Sequence, residues 1–442
     1  MDRDELFEGL ADQLGPERPR GKPRLREPVR DQIELRSVDI DSLIGQDHPA
    51  RVIWAYVERL DLRILEDAIK ARDGAPGHPP IAPRLMLALW LYATSDGVGS
   101  ARALARLCES HDVYRWLLGG VSVNYHTLSD FRTSQGELLD RLLTENVAAL
   151  SQAGVIDLSK LAQDGIRVRA NAGASSFRRR ATLERHLSDA KDIVDQLKRE
   201  VDDDPDASNK RIQAARMRAA REKAERIAAA VEALGQVEEV RKRREKTNRN
   251  QTEKQKEPRA STTDPQARVM KMADGGFRPA YNVQVVSTAG EQIIVVVDPV
   301  AVGSDRGLMT PMLEQAENNI GQWPKQHLAD GGFTTAKDIE MAHDRGITVY
   351  CPPIKSKQGA DPFAPRQDDG PGVRAWRQRM ASEDGKAFYK LRAICECIHG
   401  RWRNWKLRLT VRGLPKVRTA MLWHALTNNI LQGHRLMKAA TA

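Results

Sequence analysis

Helical and strand periodicities follow one another along the chain. From Asp47 to about Gly154, apolar runs such as LMLALWLYA at 85–93 are separated by Gly, Ser and Asn, which is typical of short helices. After Gly154 the segment VIDLSKLAQDGIRVRANAG alternates apolar and polar residues on both sides of Asp164. This alternation predicts a half-buried β-hairpin, so a helical region is followed by the start of a sheet.

A long polar segment then interrupts the strand pattern between Arg178 and Arg259. Its apolar residues first repeat at alternating spacings of four and three, which predicts an amphipathic helix ending near 202–205 and a second helix at roughly 209–244. By count, residues 178–259 hold 23 Lys and Arg against 17 Asp and Glu. The interruption is therefore predicted to be a basic helical hairpin inserted into the sheet region.

Strand and helix patterns alternate after the insertion. PAYNVQVVST, EQIIVVVDPVAV, KQHLAD and ITVYCPP have strand patterns, whereas LMTPMLEQAENNI and AKDIEMAHDRG are helical. Residues 355–388 are loop-like, and the chain is helical from Phe388 onward. We therefore expect a mixed α/β sheet covered by helices, with four parts: a charged arm or linker at 1–45, a helical domain at 46–155, the sheet domain at 156–181 and 260–442, and the insertion at 182–259.

Composition narrows the class of protein. The 70 Lys and Arg against 60 Asp and Glu give a net charge of +10, a modest excess that favours a polyanionic partner. The four cysteines are too few and too scattered for a disulfide framework or a zinc site, which indicates a reducing cytosol. The glycines form neither G-x-G-x-x-G nor a Walker loop, which argues against the common nucleotide-binding enzymes.

The sequence carries no membrane signal. Charged residues occupy the N-terminus where a signal peptide needs an apolar run, and no apolar stretch approaches the roughly 20 residues that span a bilayer. We therefore expect a cytoplasmic protein without a membrane segment.

The helical region contains a possible DNA-reading motif. SARALARLCESHDVYRWLL, followed by VNYHTLSDFR, predicts two helices joined by a turn and a third helix starting near Thr127. In a helix-turn-helix, His126, Thr127 and Arg132 would contact DNA. Any helical bundle has such turns, so a structural bundle with a solvated basic face is the alternative.

Three carboxylates are candidates for chemistry. Asp164 in LAQDGIRV and Asp330 in HLADGGF each lie at a strand and are followed by glycine, and strand ends converge in an α/β sheet. Glu396 lies in YKLRAICECIHGRWRNWK, where its spacing from Tyr389, Arg392 and Arg403 places all four side chains on one helical face. The sequence offers 60 acidic residues, so spacing alone leaves many other combinations open.

Converging carboxylates need cations. Three such groups repel one another unless positive charges share the site, and ligation by oxygen alone favours Mg²⁺, with Mn²⁺ as a substitute. Two such ions can activate an attacking oxygen and stabilise the leaving oxygen of a phosphodiester displacement. Arg392 and Arg403 would suit phosphate oxygens through bidentate hydrogen bonds.

Two other residues near these acids have structural interpretations. Asp305 adjoins Ser304, so we interpret it as a turn former. His327 precedes Asp330 by three residues and could touch a metal-bound water, but a solvated or packed imidazole is the simpler interpretation.

At these residues the chain resembles the bacterial insertion-sequence transposases of the DDE type. Their signature helix has Tyr, then Arg, Glu and Lys at fixed spacings, and Tyr389, Arg392 and Glu396 match it, while Arg403 replaces the Lys. The segments LAQDGIRVRANAG, STTDPQARVM and LADGGF resemble the same family. DHPARVIWAYVERLDL, PRLMLALWLYA and NYHTLSDFR resemble its N-terminal helical domain.

The resemblance implies both fold and activity. It implies that Asp164, Asp330 and Glu396 bind metal on a ribonuclease H-like sheet, with Asp164 on the first strand and Asp330 after the fourth. It implies that Tyr389, Arg392 and Arg403 contact DNA, and that 46–155 is a DNA-binding domain.

The implied reaction cuts the ends of a mobile DNA element and joins their 3′-hydroxyls to target DNA without a covalent protein-DNA intermediate. The partners would be double-stranded DNA, both terminal inverted repeats and target, with a homo-oligomer assembled on DNA in the nucleoid. Two alternatives stay open: a DNA-binding protein without catalysis, either a regulator or a decayed transposase, and a metal-dependent nuclease in which water replaces the DNA hydroxyl.

Overall fold

The computed structural model describes residues 37–71, 79–203, 210–247, 257–354 and 361–441. One compact unit begins at Ile40 and contains every helix and strand of these residues. The predicted arm lies mostly outside the described residues, and its last part forms a short 3₁₀ helix at Ile40–Leu43. No helix in this part of the chain is long and apolar enough to cross a bilayer.

The described residues between 49 and 152 form seven α-helices, and the sequence pattern predicted short helices here. Ser100 and Asn124 accept hydrogen bonds from first-turn amides and so fix the starts of the fourth and sixth helices. The third helix is buried along ten consecutive residues because nearly all of its side chains are apolar. The helices are α1 (Pro49–Glu58), α2 (Arg63–Asp67), α3 (Pro83–Ser95), α4 (Ala101–Ser110), α5 (Asp112–Leu118), α6 (Tyr125–Ser134) and α7 (Gly136–Gln152).

Six of the eight described strands form one mixed sheet. The strands are β1 (Lys160–Arg169), β2 (Phe177–Arg178), β3 (Ala260–Ser261), β4 (Arg268–Lys271), β5 (Phe277–Thr288), β6 (Ile294–Val300), β7 (Gln326–Leu328) and β8 (Thr348–Tyr350). β5 pairs antiparallel with β1 along one edge and with β4 and β6 along the other. β7 adds parallel to the far edge of β1, and β8 adds parallel to β7.

The prediction of a hairpin around Asp164 is wrong. Residues 160–169 form one continuous strand, which pairs with β5 over nine residues and with β7 over three. The alternation on both sides of Asp164 arises because the strand passes straight through this residue. Asp164 therefore lies in the middle of the first strand, opposite Val285.

Eight more α-helices are found among the described residues after β1. They are α8 (Arg180–Asp203), α9 (Lys210–Thr247), α10 (Met309–Ile320), α11 (Ala336–Asp344), α12 (Pro371–Ala381), α13 (Glu383–Tyr389), α14 (Ile394–Asn404) and α15 (Leu414–Thr441). The loop expected at 355–388 is wrong at residues 371–381 and 383–388, where α12 and α13 lie. The sequence of α12 shows why. Its Pro and Gly mark a helix start, with proline at the first turn, and Val373, Trp376 and Met380 then recur on one buried face.

The inserted helices α8 and α9 pack against each other as the predicted hairpin. Leu183 on α8 and Leu234 on α9 share a small apolar cluster with Ala230 and Ala260, and the Arg180 guanidinium pairs with Glu238 across the two helices. The hairpin leaves and rejoins the sheet region through β2 and β3, which pair with each other. These two short strands form a narrow neck at its base.

Helices cover both faces of the mixed sheet. Leu161 packs on one face with Met312 and Ala316 of α10, whereas its neighbour Ala162 packs on the opposite face with Cys395 of α14. This arrangement, together with the helical N-terminal region, confirms the predicted class, a ribonuclease H-like α/β domain with a helical region and a helical hairpin. The domain boundaries drawn from the sequence remain predictions.

We predict that the hairpin can be removed without unfolding the rest of the chain. Replacing residues 179–259 by Asn-Gly would close β2 and β3 as a two-residue β-hairpin, because Arg178 lies opposite Ala260. The shortened protein should lose the circular dichroism of α8 and α9 but keep its thermal transition within a few degrees.

A longer deletion, 177–261, is the matched control for this experiment. It also removes Phe177 from the main core, so its transition should fall by clearly more. If the Asn-Gly variant failed to fold while its expression was normal, the hairpin would be an integral part of the domain. Comparing its DNA binding with that of the full chain then tests whether the hairpin contacts DNA.

Candidate active site

Asp164 is much more enclosed than Glu396. Its side chain is 15% exposed, and its Oδ2 atom lies 3.1 Å from Nη1 of Arg392. The amide of Gly165 donates to Oδ1 at 2.9 Å. Asp164 is therefore held from one side by its own strand and from the other by a guanidinium that reaches in from the segment before α14.

Glu396 meets the same arginine. It lies in the first turn of α14, is 67% exposed, and places Oε1 3.2 Å from Nη2 of Arg392. One planar guanidinium thus bridges two carboxylates, an arrangement that suits its fixed fork of donors. The structure therefore brings Asp164, Arg392 and Glu396 close together.

The single helical face predicted for this motif is interrupted. α13 ends at Tyr389, a 3₁₀ helix spans Lys390–Ala393, and α14 begins at Ile394. The tighter 3₁₀ turn carries Arg392, and this residue reaches both Asp164 and Glu396. The four motif residues therefore do not share one continuous α-helical face, and spacing alone could not reveal the change of helix type.

Asp330 lies at the end of β7, next to β1. It caps a 3₁₀ helix at Gly331–Phe333, where the amide of Gly332 donates to its Oδ1 atom, and its carbonyl accepts from Sγ of Cys351 at 2.8 Å. It follows the fifth strand of this sheet in chain order, not the fourth, because the short strand β4 precedes β5.

The charges of these groups are coupled. Burial raises the pKa of Asp164, the charge of Arg392 opposes that rise, and the negative charge of Asp330 adds to it. Burial alone would lower the pKa of Arg392, but the charges of Asp164, Tyr389 and Asp330 raise it above its usual value. The two aspartates are thus close enough to repel, and Arg392 supplies the positive charge that offsets this.

The donor set suits a hard divalent cation. Oxygen ligands from three carboxylates are what Mg²⁺ and Mn²⁺ take. In the described residues, however, no three His, Cys, Asp or Glu side chains lie close enough together to hold a metal. Arg392 lies between Asp164 and Glu396, so the guanidinium would have to move for both carboxylates to share a metal ion.

The remaining predicted motif residues are placed around this centre. Tyr389 is half-buried at the end of α13, where burial raises its pKa and the charge of Arg392 opposes that rise. Arg403 is exposed on the last turn of α14, and no ion pair to it is found in the described chain. Tyr389 thus adjoins Arg392, while Arg403 faces solvent two turns beyond Glu396.

The helix-turn-helix candidates have different surroundings. His126 is exposed in the first turn of α6 and stacks near Tyr125 with ring centroids 4.0 Å apart. Thr127 is also exposed, and both its amide and its hydroxyl donate to Oδ1 of Asn124. Arg132, farther along the same helix, is buried with only 8% exposure. Two of the three candidates therefore face solvent and the third does not.

Sequence reasoning missed His399, which lies beneath Asp164. This residue follows Glu396 by three positions on α14, and its Nδ1 atom is 3.7 Å from Oδ2 of Asp164. Burial lowers the pKa of His399 to about 4, and the charges of Arg403 and Arg392 lower it further. The imidazole is therefore neutral at pH 7. Its i, i+3 spacing from Glu396 was the available signal.

A buried polar network lies on the opposite face of β1. Gln163 donates to Gln284 at 3.0 Å, and Nε2 of His327 meets Oε1 of Gln163 at 3.2 Å. Gln284 and Asn282 both donate to Asp305, which also pairs with Arg167. His327 is thus a packed imidazole, which is one of the two interpretations drawn from the sequence. Asp305, which we interpreted as a turn former, also links β1 to β5 through these contacts.

This network also limits the space next to Asp164. A Cβ atom on Gly165 would lie 2.7 Å from Oδ1 of Asp305 and from Nε2 of Gln284, which real Cβ atoms do not tolerate. Gly165 therefore follows Asp164 because a larger residue would collide with Asp305 and Gln284. The sequence signal was the pair of polar residues, Asn282 and Gln284, at alternate positions of an otherwise apolar strand.

Two family models match the chain. One, described as a transposase DDE domain, matches residues 247–430, and the other, described as a transposase domain, matches residues 38–134. The first match includes Asp330 and Glu396 but begins after Asp164, and the second includes His126, Thr127 and Arg132. No curated protein and no solved structure matches the chain.

His327 should make folding stability depend on pH. Burial lowers its pKa to about 3, whereas an unfolded histidine titrates near 6.5. The unfolded state then binds more protons than the folded state between these values, so this contribution to stability is present above pH 6.5 and is lost as pH falls towards 3. Between pH 7 and pH 5 the loss should be about 2 kcal/mol.

Urea unfolding of the wild type and of His327→Gln at several pH values measures this effect. The glutamine keeps a donor for Gln163 but has no titrating group, so the curve of the variant should be flatter below pH 6.5. His434→Gln, at an exposed histidine of α15, should leave the wild-type curve unchanged. Parallel curves for wild type and His327→Gln would contradict the prediction.

Proposed function

Because the chain belongs to the insertion-sequence transposases of the DDE type, we propose that it cuts DNA at the ends of an insertion sequence and joins the 3′-hydroxyl ends to target DNA. The observation that carries this proposal is the convergence of Asp164 and Glu396 on Arg392, with Asp330 close enough to perturb the pKa of Asp164. Acidic groups gathered around one cation suit a site that handles phosphodiesters.

Asp164, Asp330 and Glu396 would hold Mg²⁺, or Mn²⁺ in its place. When bound, such ions would activate an attacking oxygen and stabilise the leaving oxygen. The protein itself positions the carboxylates that would hold these ions. Asp164 is held by pairing with β5 opposite Val285, and Glu396 is 67% exposed beside Arg392.

Arg392 would have two partners in the course of the reaction. Without DNA its guanidinium offsets the repulsion between the carboxylates. Once cations take over that role, the same fork of donors is available for a phosphate oxygen of the DNA. Tyr389 and the exposed Arg403 would contact the DNA on either side of this centre.

We predict that Asp164→Ala, Asp330→Ala and Glu396→Ala each abolish magnesium-dependent cleavage and joining while leaving binding to element ends largely intact. Loss of one carboxylate should cost a metal and at least about a thousandfold in rate. The measurement is strand transfer of labelled element ends, with chelator and with Mn²⁺ in parallel.

Asp384→Asn is the matched control, because this carboxylate is exposed in the first turn of α13 and outside the centre. An alanine variant that joined ends at the wild-type rate would remove its residue from the triad. Cleavage without joining would favour the nuclease, and a wild type that bound DNA but neither cut nor joined would favour the regulator or decayed transposase.

We also propose that the helical region recognises the element ends through α6. Its first turn presents His126 and Thr127 to solvent, and recognition helices of helix-turn-helix proteins contact base edges with their N-terminal residues. The amide and hydroxyl of Thr127 are held by Asn124, so this turn is rigid. A homo-oligomer on DNA and a role for the α8 and α9 hairpin in it remain predictions.

The double variant His126→Ala/Thr127→Ala should weaken binding to element ends by about 1 to 3 kcal/mol for each base that is no longer recognised, while non-specific binding changes little. Titrations with an end duplex and a scrambled duplex of equal length measure both affinities. His434→Ala/Thr441→Ala, an exposed pair on α15, is the control and should change neither. An equal decrease in affinity for both duplexes would mean that α6 does not read sequence.

A further inference from the structure

A cavity lined by charged and apolar side chains lies away from the carboxylates, and we call it the Arg132 pocket. It has a volume of about 370 Å³ and lies between the helical region and the chain after α14. Its walls come from α3, from the start of α4, from α6, from residues 405–410 and from α15. The pocket is therefore shared by the part matched as a transposase domain and the part matched as a DDE domain.

Arg132 is a buried cation without a counter-ion. Its side chain donates to the carbonyl of Gly99 and, at 2.7 Å, to Oγ1 of Thr410, and its guanidinium carbon lies 5.0 Å from the ring centroid of Trp90. No ion pair between Arg132 and a carboxylate occurs in the described chain. Burial lowers the pKa of Arg132 to about 10, so the group stays charged at pH 7.

The pocket walls carry positive charge without any negative charge. Lys406 and Arg408 line the pocket and are exposed, and no ion pair to either is found among the described residues. The pocket has no acidic lining residue in the described chain. The nearby carboxylate of Asp96 is engaged elsewhere, accepting from the hydroxyl of Tyr114 at 2.8 Å. Three cations therefore surround one cavity that contains no anion of its own.

The backbone holds this wall in place. Lys406 has a φ of 52°, in the left-handed region, and Gly97 has a φ of 75°. A Cβ atom on Gly97 would lie 2.8 Å from the carbonyl oxygen of Trp405, so only glycine allows the two segments to come this close. Ser100 adds a hydroxyl at the rim, where it caps the ten-residue helix α4.

We propose that Arg132, Lys406 and Arg408 bind a phosphate of the DNA backbone in this pocket. The proposal rests on the proposed function only in that the protein must bind DNA. A buried charge without a counter-ion is unfavourable, and an anion that enters the pocket supplies that counter-ion. A phosphodiester fits because it is an anion at every physiological pH and accepts several hydrogen bonds.

In this proposal Arg132 binds a backbone phosphate and does not contact a base. Its side chain is packed under Trp90 and tied to Gly99 and Thr410, so it cannot extend to base edges in a groove. His126 and Thr127 at the other end of α6 face solvent. A phosphate in the pocket would anchor the DNA strand beside that end and fix its register.

The first test measures the salt dependence of binding to a 30-base-pair duplex of arbitrary sequence, because a backbone contact does not depend on sequence. Lys406→Gln/Arg408→Gln should lower the slope of log affinity against log salt by about one to two and weaken binding about tenfold or more. Lys325→Gln/Lys438→Gln removes two exposed lysines outside the pocket and should have a smaller effect. Equal slopes for the two double variants would overturn the proposal.

The second test uses the anion without DNA. At constant ionic strength, replacing chloride by inorganic phosphate should raise the thermal transition of the wild type, and the rise should be absent in Lys406→Gln/Arg408→Gln. An equal rise in wild type and variant would show that phosphate acts elsewhere and would count against the pocket. A rise confined to the wild type, with no change in the DNA salt slope, would make free phosphate the ligand and overturn the DNA assignment.

These outcomes are separate from those that test catalysis. Both measurements are made without divalent metal, so an inactive triad leaves them unchanged. Conversely, a pocket variant with the wild-type salt slope, beside a wild type that cuts and joins DNA, would reject the pocket and retain the transposase.

Discussion

The packing of one long helix connects the parts of this protein. α15 buries residues on nearly all of its sides, so the N-terminal helices and the sheet both pack against it. Trp423 donates to the carbonyl of Arg132, and Asn429 makes two hydrogen bonds to the backbone of Ile294 on β6, at 2.8 and 2.7 Å. Without this helix, the edge of the sheet and the helical region would each expose an apolar surface.

The same helix holds the element that carries Glu396. Arg401 on α14 donates to Asn428 and Gln432 of α15 and to Gln292 in the turn between β5 and β6. The helix that carries Glu396 is thus tied to α15 and to the sheet at once. The position of Glu396 relative to Asp164 depends on packing far from the carboxylates, as is usual for sites that need geometric precision.

Sequence patterns predicted what depends on local periodicity. They predicted short helices in the N-terminal region, the inserted hairpin and most strands of the sheet but not β4, and the motif spacing brought Arg392 together with Glu396. These patterns failed where contacts between distant segments determine the secondary structure. β1 is one strand because β5 and β7 flank it. α12 forms because its apolar face meets the core around Cys351. The 3₁₀ turn at Arg392 and the buried charge of Arg132 depend on contacts between distant segments, which no window of sequence contains.

Because β2 and β3 form a neck, the length of the inserted hairpin can change without shifting the register of the six-stranded sheet. Each residue added to or removed from both helices would move the tip by about 1.5 Å and turn it by about 100°, while Phe177 and Ser261 stay paired. The length and direction of the hairpin could therefore change in small steps during evolution, without disturbing the strand that carries Asp164.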